Sequence, residues 1–107
     1  MTRKEALAEL IEKVEEGGDV RPSTFKALRD PDNAAWAVKA FYGSLDAAKV
    51  LHEAVLPGWW WKVIHPDPSY AQVGMQGIGD YYAETKDPAR GWLFAILRAL
   101  YAQEPDT

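Results

Sequence analysis

The segment that most constrains this fold is Trp59–His65, which follows the helix-breaking pair Pro57-Gly58. It is aromatic and β-branched, with Lys62 as its only charge, which is typical of a β-strand. Successive side chains of a strand point to opposite faces, and here each face receives at least one Trp and one aliphatic side chain. Because both faces are bulky and apolar, this pattern predicts a central strand that is covered on both sides.

Two further strands are predicted after this one. Residues Tyr70–Gln76 alternate apolar and polar side chains, which indicates a strand with one polar face. The turn-forming residues Gly77–Asp80 then lead into a short strand, Tyr81–Thr85. Short turns of this kind join antiparallel neighbours, so we expect the three strands to form a meander.

Helical patterns flank the predicted sheet. Apolar residues recur at helical spacing in Lys4–Glu16 and in Ser44–Leu56. Asp30-Pro31 and Asp87-Pro88 each place an N-cap residue before a proline at the first helical position, which predicts two more helix starts. The helix that begins at Pro31 is apolar almost all round, so we expect it to be sandwiched between other elements.

The helical wheels also predict which side chains face water. On the third helix, His52 and Glu53 fall on the polar side, where a solvated pattern is the usual outcome. On the last helix, which we expect to reach about Gln103, the apolar stripe leaves Trp92 and Phe94 outside it.

These elements predict one α+β domain over residues 1–107, in the order α-α-α-β-β-β-α, with the three-stranded antiparallel meander sandwiched by helices. The length and a 48% hydrophobic composition are sufficient for one core. Residues 17–30 are polar and interrupted by Pro22, and predict an irregular connector. Residues 104–107 predict a frayed tail.

Composition excludes several classes of function. The sequence has no cysteine, which rules out disulfides and thiolate metal sites. The same absence of cysteine fits an intracellular protein. We read no signal peptide and no apolar run long enough to cross a membrane, and therefore expect no membrane partner. The net charge of -4 repels nucleic acid phosphates on average.

The chain resembles a known family over roughly Ala35 to Ala102. The shared segments are Phe41–Ala48, Leu56–Trp59 with the Trp-rich strand and two more strands after it, and Pro88–Leu93 with Ile96–Leu100. In these segments it resembles the phage ABA sandwich domain, found in small proteins of bacteriophages and prophages in which a sheet lies between helices. The resemblance implies an accessory protein in the cytoplasm of a bacterial host, and it implies no catalytic residue, because the family has no assigned activity.

The inventory of reactive residues predicts a protein that is not an enzyme and holds no cofactor or metal. There are two His, no thiol, and no metalloprotease, phosphate-loop or nucleophile-elbow motif. His65 and Asp67 flank the first turn of the meander and Asp80 lies in the second. Successive turns lie at opposite ends of the sheet, so we expect His65 and Asp80 to be about 20 Å apart for six-residue strands. We therefore expect no metal site from these three residues.

The strands supply the candidate binding surface. Aromatic side chains among short polar groups are typical of protein recognition, and Tyr offers a wide contact at low entropic cost. We favour a core role for Trp59 and Trp61 and leave Trp60 open between core and surface. The candidate surface comprises Trp60, Tyr70, Gln72, Gln76, Tyr81 (or its neighbour Tyr82) and Glu84. This favours a protein-binding module whose partner is a phage or host protein, or a second copy of the chain.

A nucleic-acid-binding module is the alternative. A helix, three antiparallel strands and a helix is also the order of double-stranded RNA-binding domains, which bind largely by shape and phosphate charge. The basic candidates are Lys62, Lys86, Arg90 and Arg98. At the start of the last helix, however, Asp87 separates the two cations, and the net charge is negative, so nucleic acid is the less favoured partner.

Overall fold

A computed structural model describes residues 2–64 and 69–105 of the chain. They form the helices α1 (Arg3–Glu16), α2 (Pro31–Phe41), α3 (Leu45–Val55) and α4 (Pro88–Gln103), a 3-10 helix (Pro22–Leu28), and the strands β1 (Trp60–Ile64), β2 (Ser69–Met75) and β3 (Gly79–Thr85). The α+β class and the predicted order of helices and strands are confirmed.

Three helix starts carry the caps that the sequence indicates. The carboxylate of Asp30 accepts a hydrogen bond from the backbone N–H of Asp32, and Pro31 occupies the first helical turn. Ser44 caps α3 through the N–H of Ala47, at 3.1 Å. Asp87 caps α4 in the same way, and satisfies two backbone donors there. These caps fix where each helix begins.

The segments predicted to be irregular are partly ordered. Within residues 17–30, the 3-10 helix buries Phe25 and Leu28 in the core. At the other end of the chain, the carboxylate of Glu104 accepts a hydrogen bond from Arg3 at 2.7 Å, which links the tail to α1. Residues 106 and 107 lie outside the described part of the chain, so fraying of the tail stays a prediction.

The core is organised around α4. Its buried residues lie on every side of the helix, and they include Trp92 and Phe94, which the predicted stripe had left outside. One side of α4 packs on the sheet, while α1, α2 and α3 pack on its other sides. α2 packs on the 3-10 helix and α3 as well as on α4, but Ala35 and Lys39 are exposed, so the expectation that the second helix is sandwiched holds for only part of its surface.

The strand order is β1-β2-β3, with both pairs antiparallel. The meander is confirmed, but β2 is the central strand and the Trp-rich β1 is an edge, contrary to prediction. α4 covers one face of the sheet, where Ala71, Val73 and Ala83 are buried.

The opposite face, which we call the open face, corrects the expectation of helices on both sides. It carries Trp60, Ile64 and Tyr82, which are 46%, 45% and 55% exposed. The physical reason is that α4 is buried on all sides over Gly91–Leu97, so α1, α2 and α3 pack on α4 and are not needed to cover a second sheet face.

Candidate functional site

The three consecutive Trp residues have three different environments. Trp59 is partly buried and stacks on Tyr81, with ring centroids 6.3 Å apart. The ring of Trp61 lies 4.6 Å from that of Trp92, yet Trp61 remains 44% exposed. The predicted core role therefore does not hold for Trp61, because β1 lies at the sheet's edge beyond most of α4. Trp60, which the sequence left undecided, lies on the open face.

Trp60 lies across the open face, over a glycine. Trp60 and Gly74 are direct partners in the β1–β2 pairing, and Gly74 is buried although it lies on this open face. A Cβ at position 74 would collide with the indole ring of Trp60. The missing side chain at position 74 therefore lets the ring lie flat on the sheet.

A groove separates β1 from α3. It has a volume of about 460 Å³, and Trp61, Val63 and Trp92 form its floor. Leu45 and Lys49 of α3 line the opposite wall. The groove is open to solvent and its lining is mainly apolar, so it can accept an apolar side chain that approaches along β1.

The backbone of β1 has a definite polarity beside this groove. Trp59 donates its N–H to the carbonyl of Leu56 at 3.1 Å, and its own carbonyl accepts from His52 Nε2 at 2.9 Å, so both groups point away from β2. The direction of the backbone groups alternates along an antiparallel strand. The N–H and C=O of Trp61 and Val63 therefore also point away from β2, while those of Lys62 face it.

These outward groups define what we call the free edge: the N–H and C=O of Trp61 and of Val63. In residues 2–64 and 69–105 they meet no hydrogen-bonding partner outside the sheet. Unpaired groups on an exposed edge are a template for a further strand. The free edge and the groove lie side by side, and we treat them together as the candidate site.

His52 fixes the position of β1 relative to α3 and α4. Its side chain is 1% exposed, which corrects the prediction that it lies on the solvated face of α3. Nδ1 accepts a hydrogen bond from Trp92 Nε1 at 3.2 Å, and Nε2 is bonded to the Trp59 carbonyl. Since the indole N–H can only donate, Nδ1 is the acceptor and Nε2 carries the proton.

Burial lowers the pKa of His52, and this effect outweighs the hydrogen bond to Trp59 and the charge of Glu53, which act in the opposite direction. The neutral ring is therefore the form that matches its two hydrogen bonds at neutral pH. A missed sequence signal is visible in hindsight: the buried stripe of α3 is Ala47, Ala48, Leu51 and His52. It is rotated from the predicted stripe, so that His52 falls inside it.

The predicted binding residues divide between two faces of the sheet. Trp60, Tyr70, Gln72 and Glu84 lie together on the open face, as their pairing partners require. Tyr81 does not belong with them, because it lies on the face that α4 covers, and its neighbour Tyr82 takes the open-face position. Gln76 lies in the β2–β3 turn.

Polar contacts order the open face. The Tyr70 hydroxyl donates to Gln72 Oε1 at 2.6 Å, and the Gln72 amide donates to Asp80. The rings of Tyr70 and Tyr82 lie 5.6 Å apart. Gln72 is therefore bonded to groups of β2 and β3, while its cross-strand neighbour on β1 is Lys62.

Three of the basic candidates lie close together at the β3 edge of the sheet. Lys86, Arg90 and Arg98 line a cleft of about 380 Å³, which acidic side chains also line: Glu15, Glu84 and Asp87. The guanidinium of Arg90 lies 3.9 Å from the Phe41 ring centroid, and its Nε donates to the Phe41 carbonyl. Such a mixture of charges is not the basic surface that phosphate binding requires, so the cleft does not favour the nucleic-acid alternative.

Arg98 also makes a backbone contact at that edge. Its Nη1 donates to the carbonyl of Tyr82 at 2.6 Å, and its guanidinium lies over the ring of Phe94. Tyr82 faces away from β2, so this hydrogen bond occupies one outward acceptor of β3. Lys62, the fourth basic candidate, is exposed on the open face of β1 and is distant from the cleft lining.

The metal and membrane expectations can be compared with the structure only over residues 2–64 and 69–105. His65 and Asp67 lie outside the described residues, so their predicted separation from Asp80 is not addressed. Among the residues that are described, no group of three or more His, Asp or Glu side chains could hold a metal ion. No helix in the same part of the chain is both long and apolar enough to cross a membrane.

No family model, curated protein or solved structure matches this chain. The resemblance to the phage ABA sandwich domain therefore stays a prediction from the quoted residues. The site's function has to be argued from its own geometry.

Proposed function

We propose that this chain is a non-enzymatic module that binds another polypeptide along the free edge of β1. The observation that carries the proposal is the set of outward N–H and C=O groups of Trp61 and Val63 beside an apolar groove. A peptide that adds a strand to an exposed edge gains affinity from backbone hydrogen bonds and specificity from pockets for alternate side chains.

The distribution of exposed apolar residues supports this proposal. Leu45 on the groove wall and Trp60, Trp61 and Ile64 on β1 are all between 43% and 46% exposed. Aromatic side chains are enriched where proteins bind one another, and a few of them carry most of the binding energy. β1 therefore offers anchors on both of its faces in addition to its backbone.

The groove does not suggest catalysis. Its charged lining residues are Asp46 and Lys49, on the rim that α3 contributes. Lys49 is paired with Glu53 at 3.9 Å, and the other lining residues apart from Asp46 carry no group that could act as a nucleophile or a general base. The proposal is therefore one of binding alone.

A second copy of the chain is a poorer occupant than a different polypeptide. If two β1 strands pair antiparallel over residues 60–64, Lys62 stands directly opposite Lys62 of the other copy. Like charges in that position destabilise a strand pair, and a lysine on an edge strand hinders self-association. The resemblance to phage proteins supports a phage or host protein as the partner, in the host cytoplasm.

The proposal is tested by selecting short random peptides on the immobilised protein and mapping them by NMR. We expect selected peptides to shift the amide signals of β1 and α3. Val63→Pro removes an outward N–H, which an edge strand tolerates, and should abolish binding. Glu84→Pro makes the matched change on β3 and should preserve it. Peptides that bind Val63→Pro as well as wild type would overturn the proposal.

A further inference from the structure

Building on that proposed function, we infer that the bound segment is an extended strand, antiparallel to β1, in which an acidic side chain stands between two apolar ones. The acidic side chain faces Lys62, and the two apolar side chains enter the groove between β1 and α3.

The alternation of side chains fixes this pattern. Residues that stand opposite each other on neighbouring strands project to the same face of the sheet. Trp61 and Val63 line the groove, so the residues opposite them also point into it. The residue between these two points to the open face, on the side of Lys62.

The groove selects the two outer residues of the pattern. Its floor of Trp61, Val63 and Trp92 is apolar, and the exposed side chain of Leu45 continues that surface on α3. A polar side chain buried there would lose hydrogen bonds to water without finding replacements on the floor. Aliphatic or aromatic residues are therefore required at both positions.

Lys62 selects the central residue. Its side chain is exposed, and it forms no ion pair with a carboxylate in the described part of the chain. Its cross-strand neighbour Gln72 is already engaged with Tyr70 and Asp80. A carboxylate directly opposite would form a cross-strand pair with the ammonium group, whereas a lysine there would be repelled.

The test uses blocked peptides of the sequence Thr-Leu-Glu-Val-Thr, with Gln or Lys replacing Glu in two controls. Binding is measured by isothermal titration calorimetry at low salt. On wild type we expect the Glu peptide to bind about fivefold more tightly than the Gln peptide and about tenfold more tightly than the Lys peptide, given the strength of cross-strand charge pairs. On Lys62→Glu the order should reverse, with the Lys peptide binding most tightly.

A backbone control separates strand addition from simple charge attraction. N-methylation of the Leu or Val amide removes a donor that would face the free edge, and should abolish binding. N-methylation of the Glu amide, which faces away from β1, should have little effect. This control leaves the protein unaltered, so it does not depend on whether a variant folds.

The outcomes distinguish the inference from the proposed function. Equal binding of the Glu, Gln and Lys peptides, with loss on N-methylation at Leu, would overturn the acidic pattern and leave strand addition standing. Binding that is insensitive to N-methylation would contradict strand addition itself. If none of the three peptides binds while the selection on random peptides yields β1 ligands, the inferred pattern is wrong and the proposed function survives.

Discussion

The two edges of the sheet are protected in different ways. At β3, Arg98 from α4 binds the outward carbonyl of Tyr82, and charged side chains surround the adjacent cleft. At β1, the outward groups of Trp61 and Val63 face an apolar groove, and Lys62 is the only charge on the strand. Proteins usually block exposed edges because they promote aggregation. The contrast suggests that one edge is closed for stability and the other is kept available.

The largest expected effect comes from removing the support beneath β1. Trp92→Ala removes the ring against which Trp61 packs and the indole N–H that donates a hydrogen bond to His52 Nδ1. We expect the free energy of unfolding to fall by about 3–5 kcal/mol, as for other large core truncations. In hydrogen exchange monitored amide by amide, protection should be lost more at β1 than at β3. An equal loss of protection at β1 and β3 would mean that Trp92 does not stabilise β1 in particular.

Acidification should also lower stability, through His52, which bonds to Trp59 and Trp92. The folded-state pKa of His52 is lowered by burial, so the unfolded chain binds a proton more readily. Stability from this residue is therefore present above the ordinary histidine pKa of 6.5 and is lost as the pH falls from there toward the lowered folded pKa. The slope is at most about 1.4 kcal/mol per pH unit for one proton.

Urea unfolding at a series of pH values measures this effect, with His52→Gln as the control. Glutamine keeps a donor and an acceptor but does not titrate, so the variant should lack this part of the slope. If wild type and His52→Gln show the same pH dependence between 7 and 5, His52 is not its source.

Exposing the β3 edge should lower the free energy of unfolding by a smaller amount. Arg98→Ala removes the hydrogen bond to the Tyr82 carbonyl, and we expect a loss of about 1 kcal/mol, since the residue is exposed. The variant should also associate at high concentration through β3, which sedimentation velocity detects. Arg98→Lys, which keeps the charge and a single donor group, should associate less. A variant that stays monomeric would show that this contact does not protect the edge.

The smallest effect on stability is expected for a change beside the free edge of β1. Lys62→Ala changes an exposed side chain, and should alter the free energy of unfolding by less than about 0.5 kcal/mol. It removes the repulsion between two β1 strands, so self-association through β1 should increase. Lys13→Ala, at an exposed position on α1, is the matched loss of charge. Similar sedimentation of the two variants would contradict the role assigned to Lys62.

The element boundaries could be predicted from sequence because their causes are local. An Asp-Pro pair sets φ and supplies a cap, and strict alternation defines a strand, without reference to the rest of the chain. The central elements were misassigned because apolar content does not say which layer a segment occupies. Ala35 in α2 is exposed, whereas the continuous apolar run of α4 from Gly91 to Leu97 is buried throughout.

The candidate site was less predictable, for two physical reasons. The exposure of Trp61 depends on the position of β1 relative to α4, which only the tertiary arrangement decides. The burial of His52 depends on two partners, the Trp59 carbonyl and the Trp92 indole, that are 7 and 40 residues away in the chain. A hydrophobicity pattern counts histidine as polar, although its two nitrogens suit it to a buried site with one donor and one acceptor.

Gly74, which lies beneath Trp60, controls the orientation of the Trp60 ring on the open face. While position 74 carries only hydrogen, the indole ring rests on the sheet and shows a partner one of its faces. A single methyl group there would force the ring outward, where it could reach into a cavity on another molecule. One carbon atom, on a strand that the proposed partner does not touch, would thus change the shape that β1 presents while leaving its hydrogen-bonding groups unchanged.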